Sequence, residues 1–356
     1  MAATRLSGSW NSYVALKLLS SDCYGTEHDI FEVEILKTIT RHQTCVGGTK
    51  STHVVELLDT FQIIGATGVH KCIAMPVLGC SLSAQAGRFP DGRIPHRIVK
   101  QITKQLLSGL AFLHDTCGVI HTPSNICFEV DQAQLLLMAD GQTAEQVTST
   151  ISEGDIGSVR IIDLGVASWI DHHLSDNIQP EHLRAPEVIL GAPWGPPVDI
   201  WSLGCLVIEF VKGHVAFNGA ASQHGSWTSE DDHLAQYMEV LGPMPPKLLQ
   251  RGTKSAEYFD PSGMSCADTS PENSTANSFS LSGKLVRIPE LQTTSLSDFV
   301  DGAEGPFQRP PDMSTEEATK FVDFLSGALA LDPHCRGQAT ELLQHEWLQE
   351  WNTARA

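Results

Sequence analysis

The apolar run Val14-Ala15-Leu16 ends in an ammonium at Lys17. A strand ending in lysine is, alone, most often a solvated edge, but the segment that follows changes the reading. Glu32, Ile35, Leu36 and Ile39 fall at helical spacing, which puts Glu32 on the apolar stripe of a helix predicted over 27–39. A carboxylate on a buried face needs a cation, and Lys17 is the nearby one. Glu34 points elsewhere on that helix and is solvated. A second apolar run, Val159-Arg160-Ile161-Ile162, delivers Asp163 into Leu164-Gly165. The chemistry open to such residues is electrostatic: a lysine for an anion, and a carboxylate on a glycine turn for a divalent cation.

The elements that must position them divide in character. Tyr13–Leu19 and the stretches around 54–63 and 71–77 read as strands flanking the helix. After Gly79 long helices take over. Ile98, Ile102, Leu106 and Leu110 recur every four residues, with Val99 and Leu113 beside them, on one amphipathic helix. Val198–Val211 is apolar on nearly every face, so it is a helix inside a lobe, and Gly213 is placed to end it. Two stretches read as insertions: 130–157, rich in Asp, Gln, Glu and Thr, and 262–283, a Ser/Thr/Asn/Pro segment expected to be a mobile loop. There are no internal repeats. The fold class is α+β: a β-rich part followed by an α-rich one.

Further motifs follow in a fixed order. Ala185-Pro186-Glu187 comes after Asp163-Leu164-Gly165, and Asp199-Ile200-Trp201-Ser202-Leu203-Gly204 opens the buried helix. Near the end stand Leu331-Asp332-Pro333, Arg336 and His345-Glu346-Trp347-Leu348. In this order and spacing the chain resembles the eukaryotic protein kinases. Within them, His121-Thr122, the Leu164 of the metal motif, Val77-Leu78-Gly79 after the hinge and the insertion between the catalytic and metal motifs resemble the SR-protein kinases.

The resemblance implies a bilobal fold with a truncated β-rich small lobe and hinge over 1–79 and an α-rich large lobe over 80–351, with the insertions near 130–157 and 262–283. It implies ATP and Mg²⁺ as ligands. Lys17 and Glu32 would serve the phosphates, Met75 would be the gatekeeper, the Val77 backbone would meet the adenine, and Asn125 and Asp163 would hold the metal. Glu187 is expected to bond Arg336. The family reaction is phosphorylation of serine or threonine, with Arg/Ser-rich splicing factors as protein partners. Glu230-Asp231-Asp232 resembles the acidic docking region of such kinases, and equally suits a helix start favoured by the dipole. Thr122 removes the arginine that commonly demands a phosphorylated activation loop.

Two departures bear on activity. His121 and Asn125 are four positions apart, about three fewer than in the family loop. However the gap is placed, no Asp stands between them, so no catalytic acid–base residue is intact. Asp115, Glu129 and Asp131 belong to flanking elements. Ahead of Lys17, Gly8 is the lone glycine, so the glycine-rich phosphate loop and its strand are expected to be absent. Two function classes remain: a serine/threonine kinase of impaired activity, and a pseudokinase that binds or scaffolds.

Composition narrows the rest. With 356 residues, 41% hydrophobic and 18% charged, the chain has the balance of a globular protein. A net charge of −19 disfavours direct nucleic-acid binding. The nine cysteines lack CxxC pairing and read as reduced thiols of a cytosolic or nuclear protein. No signal peptide or membrane span is predicted, so the Asn273-Ser274-Thr275 sequon is expected to stay unmodified.

Overall fold

The computed structural model describes residues 2–5, 13–23, 30–45, 52–122, 125–260 and 283–349. The 262–283 insertion apart from Gly283, the Asn273 sequon, Gly8, and Pro123 and Ser124 of the catalytic loop lie outside the described residues. The chain forms two compact units, one of residues 1–174, 339–344 and 348–356, the other of 175–338 and 345–347. Helix and strand are mixed, in the α+β manner that the sequence predicts.

The first unit opens with an antiparallel sheet. Its strands are β1 (Ala2–Arg5), β2 (Tyr13–Leu18), β3 (Asp59–Gly65) and β4 (Gly68–Pro76), in the order β1-β2-β4-β3. The sequence predicts no strand ahead of Tyr13, yet β1 pairs with β2 from Ala2↔Leu16 to Arg5↔Tyr13. Pairing to a formed neighbour overrides the weak strand preference of Ala-Ala-Thr-Arg. Helix α1 (Glu32–Cys45) follows β2 and buries Val33, Ile35, Leu36 and Ile39. Residues 27–29 of the predicted 27–39 lie outside the described residues, 30 and 31 are not helical, and the helix ends later than predicted. The apolar signal stops at Ile39 while the polar turn Thr40–Cys45 continues the helix.

Strand β5 (Leu78–Ser81) and helix α2 (Leu82–Ala86) lead into α3 (His96–Ala111), which buries the predicted Ile98, Val99, Ile102, Leu106 and Leu110. A single π-helical turn, Phe112–Cys117, closes on Gly118 at φ 66°, a left-handed position that glycine adopts without a Cβ penalty. The remaining strands are β6 (Val119–Ile120), β7 (Ile126–Glu129), β8 (Val159–Ile161) and β9 (Ser168–Trp169). They form the antiparallel sheets β5-β7-β8 and β6-β9. Between β7 and β8 the insertion is structured as α4 (Gln132–Ala139) and α5 (Ala144–Val147).

The second unit is helical. It comprises α6 (Pro186–Ile189), α7 (Pro197–Lys212), α8 (Ser229–Leu241), α9 (Pro246–Arg251), α10 (Ser255–Tyr258), α11 (Leu296–Asp301) and α12 (Thr315–Ala328). Helix α13 (Ala339–Leu342) belongs to the first unit and packs beside α3. As its composition predicts, α7 is buried on nearly every face, and Gly213 at φ 76° ends it. Tyr237 of α8 makes edge-to-face contacts with both Trp201 of α7 and Phe217, each with centroids 4.8 Å apart, a geometry that the ring quadrupoles favour. No helix among the described residues is long and apolar enough to cross a membrane.

The acidic run at α8 is taken up by its own chain. Asp231 is buried, completes a capping box with Thr228 and pairs with Arg287 at 2.8 Å. Asp232 accepts from the Ala220 N–H and from Gln236, both at 2.7 Å, and Glu230 lies 3.8 Å from Arg184. Of the two readings of this run, the helix start is the one with physical partners in place.

Glu187 and Arg336 meet as the motif order predicts. Arg336 donates Nη1 to Glu187 Oε1 at 2.7 Å and Nη2 to Oε2 at 3.0 Å, with both side chains fully buried. It also donates to the Pro197 and Ala330 carbonyls and lies over the Trp201 ring. This bidentate pair ties α6 to the stretch that follows α12. Arg336→Leu leaves a buried carboxylate unpaired, and about 3–5 kcal/mol of stability should be lost. Urea unfolding of the two proteins measures it.

Candidate functional site

The register of β2 on β4 sets Lys17 opposite Ile73 and Ala15 opposite Met75. Strand alternation then places Ala15, Lys17 and Met75 on one face, with Met75 buried. Glu32 is the first residue of α1 and is only 1% exposed. Lys17 Nζ donates to Glu32 Oε1 at 2.6 Å and to Asp163 Oδ1 at 2.7 Å. One ammonium thus serves two carboxylates from distant parts of the chain. Glu34, as predicted, is exposed on the opposite side of the helix.

The three groups respond to this arrangement differently. Burial pushes the Glu32 carboxyl above its ordinary value, and the Lys17 hydrogen bond and charge only partly oppose it. Burial would also raise Asp163, which is 47% exposed on its side chain. The Lys17 hydrogen bond and charge, the Gly165 N–H and nearby His121 together bring it below its ordinary value. Burial acts to lower Lys17, and the bonds to Asp163 and Glu32 outweigh it, so the ammonium is held above its ordinary range.

Asp163 follows β8 at φ 62°, a left-handed conformation that costs a non-glycine residue about 1–3 kcal/mol. Its partners hold it there: Lys17 on Oδ1, Asn125 Nδ2 donating to Oδ2 at 3.2 Å, and the Gly165 N–H. The Asn125 carbonyl accepts from the Ile162 N–H at 3.0 Å, so Asn125 stays beside the turn. His121 Nε2 donates to the Ile162 carbonyl at 2.9 Å, which ties the catalytic loop to the same turn. Thr122, next in the loop, also sits at φ 58°, and for a β-branched residue this is a marked departure from ordinary backbone.

The structure therefore brings Lys17, Glu32, Asp163 and Asn125 into one cluster. Val77 lies apart from it, lining a groove of about 170 Å³ with Val55, Pro76, Leu78 and Val130. No carboxylate stands between His121 and Asn125 in the sequence. Of the flanking acids, Glu129 is paired with Arg160 and Asp131 caps α4.

The cluster suits an anionic ligand that brings a cation. Glu32 Oε2 is buried without a hydrogen-bond partner. A Cβ at Gly165 would lie 3.4 Å from each of Lys17 Nζ, Glu32 Oε2 and Asp163 Oδ1, so the glycine keeps that space clear. Among the described residues no three His, Cys, Asp or Glu side chains are placed to hold a metal on their own. Asp163 and Asn125 offer hard oxygen donors, the set that Mg²⁺ takes when phosphate oxygens complete its shell.

Sequence reasoning did not find Gln179. It is buried at φ 66°, donates Nε2 to the Val198 carbonyl and to Ser202 Oγ, each at 2.8 Å, and accepts from the Ala185 N–H at 2.9 Å. It fixes the segment ahead of Glu187. No local pattern marks it, because its partners come from elements that meet only on folding.

Comparison with known proteins agrees with the geometry. The protein kinase domain model matches residues 6–348. The serine/threonine-protein kinase SRPK of Physarum polycephalum is 32% identical, over 95% of this chain and 80% of its own length. Protein kinase dsk1 of Schizosaccharomyces pombe is 26% identical over 95% of this chain and 76% of its own, and SRSF protein kinase 3 of Mus musculus is 22% identical over 94% and 82%. The chain belongs to the protein kinase family, as a serine/threonine kinase domain of the SRPK type.

Proposed function

We propose that this chain binds Mg·ATP through Lys17, Glu32, Asn125 and Asp163, and that its phosphate transfer to serine or threonine hydroxyls is slow. The carrying observation is the pairing of an assembled charge cluster with a catalytic loop that holds no acid. Lys17 Nζ is the donor for phosphate oxygens, and Glu32 Oε1 holds it in place. Asp163 and Asn125 would hold the metal, which when bound neutralises phosphate charge. Met75 and the Val77 backbone, on β4 and just beyond it, would meet the adenine. In this reading the small lobe and hinge run over 1–79 and the large lobe over 80–351.

Between His121 and Asn125 there is no group that could accept the substrate's hydroxyl proton near neutral pH. The loss of such a positioned base costs roughly 10²–10⁴ in rate. By likeness to relatives named SRPK and SRSF protein kinase, the substrate class is proteins rich in Arg/Ser repeats. The same missing acid favours a second reading, a pseudokinase that uses its nucleotide-bound form to bind partners.

Mg·ATP should raise the thermal midpoint of the wild type and leave Lys17→Met unshifted, with little labelled phosphate passed to an Arg/Ser-repeat peptide. Robust turnover that disappears in Lys17→Met would instead establish an active kinase. A chain that Mg·ATP does not stabilise would leave neither nucleotide reading standing.

The buried pair also carries a pH signature. In Lys17→Met nothing opposes the burial that raises Glu32, so its folded value moves further above the ordinary 4.5. The folded state then binds the proton more tightly than the unfolded state, and stability falls as pH rises through that window. The deficit relative to wild type should reach about 3 kcal/mol near pH 8 and shrink towards the ordinary carboxylate range. Adding Glu32→Gln should recover much of it. Urea unfolding across pH measures both effects, and a deficit independent of pH would contradict them.

A further inference from the structure

Helix α4 in the insertion between β7 and β8 is out of keeping with its surroundings. Leu135, Leu136, Leu137 and Met138 fill half of its eight residues, yet none of the eight is buried. Leu136 and Leu137 are 46% and 42% exposed. The helix is nonetheless firmly built. Asp131 and Gln134 form a capping box at its start, Gln134 Nε2 donates to the Val147 carbonyl at 3.1 Å, and Gly141 at φ 98° ends it. Leu135 and Met138 are half-buried, and Leu136 and Leu137 form an apolar ridge that the described residues leave exposed.

Charge narrows what could cover it. Residues 130–157 contain Asp131, Asp140, Glu145, Glu153 and Asp155 and no Lys, Arg or His. Arg97 reaches Glu153 at 3.6 Å. Arg88 is spent on the Glu145 and Thr148 carbonyls. Among the described residues no Lys or Arg pairs with the Asp140, Glu145 or Asp155 side chain, and all three residues are exposed. Beside the ridge, Val130 lines a groove of about 170 Å³ with Val55, Val77 and Leu78, where Glu129 is paired with Arg160 and Glu56 adds a further carboxylate.

We infer that α4 is a docking ridge for a basic amphipathic helix, a partner segment with aliphatic side chains on one face and Lys or Arg on the other. Leu136 and Leu137 take its apolar face, and the surrounding carboxylates take its cations. A second copy of this chain would bring the same carboxylates against themselves, in a molecule of net charge −19. An anionic lipid surface would be repelled in the same way. A pure Arg/Ser repeat has the charge but nothing to set against the leucines, so the ridge is distinct from the proposed substrate contact and does not depend on turnover.

The test uses the full chain and a fluorescent helical peptide of Lys and Leu at amphipathic spacing, with an Arg/Ser-repeat peptide as control. Binding to wild type should weaken about tenfold in Leu136→Ser/Leu137→Ser, with the thermal midpoint unchanged because neither side chain is buried. It should weaken again in Asp140→Asn/Glu145→Gln and with added salt. Absence of binding, equal affinity of the leucine variant, or equal binding of the Arg/Ser peptide would overturn the proposal. So would a wild-type dimer in sedimentation that the leucine variant abolishes, since the face would then belong to a second copy.

Discussion

A single ammonium, Lys17 Nζ, stands within 2.7 Å of two carboxylates, Glu32 and Asp163. Strand β2 supplies the cation, the first turn of α1 supplies one anion, and the turn after β8 supplies the other. The cluster therefore exists only when the sheet, the helix and the metal-motif turn are all in register. It also leaves the site short of positive charge, because one cation cannot neutralise two carboxylates. A ligand that brings its own divalent cation would relieve that shortage, and the left-handed Asp163 already stands beside Asn125, which donates to its Oδ2.

Binding and transfer are separable in such a site. Phosphoryl transfer depends largely on positioning and charge, and the residues proposed for those tasks, Lys17, Glu32, Asn125 and Asp163, are mutually bonded. Orientation of the acceptor hydroxyl is a separate task, and in the proposed function the stretch from His121 to Asn125 lacks the carboxylate for it. The rest of the scaffold does not share this loss. Gln179 still braces the segment ahead of Glu187, and Glu187 still locks onto Arg336. A domain that retains these costly buried polar networks is built to hold one shape.

Much of this was legible in the sequence, for physical reasons that differ by residue. Glu32 announced its partner because a carboxylate on an apolar stripe demands one, and α7 announced its burial because it has no polar face. The Glu187–Arg336 pair was legible only through the order of motifs, since nothing local joins positions so far apart. The last turn of α1 was hidden by its polar side chains. Helices α4 and α5 carried the signal in their capping boxes, Asp131 with Gln134 and Thr143 with Gln146, but polar composition read as a featureless insertion. The positive φ of Thr122 and of Gln179 could not be read at all, because both conformations are imposed by contacts made on folding.

The central claim is that the missing loop acid, and not the nucleotide cluster, limits the reaction. It is tested most directly by the single-turnover rate of phosphate transfer to an Arg/Ser-repeat peptide, in the native chain and in one with three residues including Asp inserted after Thr122. The account predicts a gain of at least about a hundredfold on insertion. A native chain already turning over at about 1–100 s⁻¹, the ordinary kinase range, or an insertion that leaves the rate unchanged in a folded protein, would contradict it.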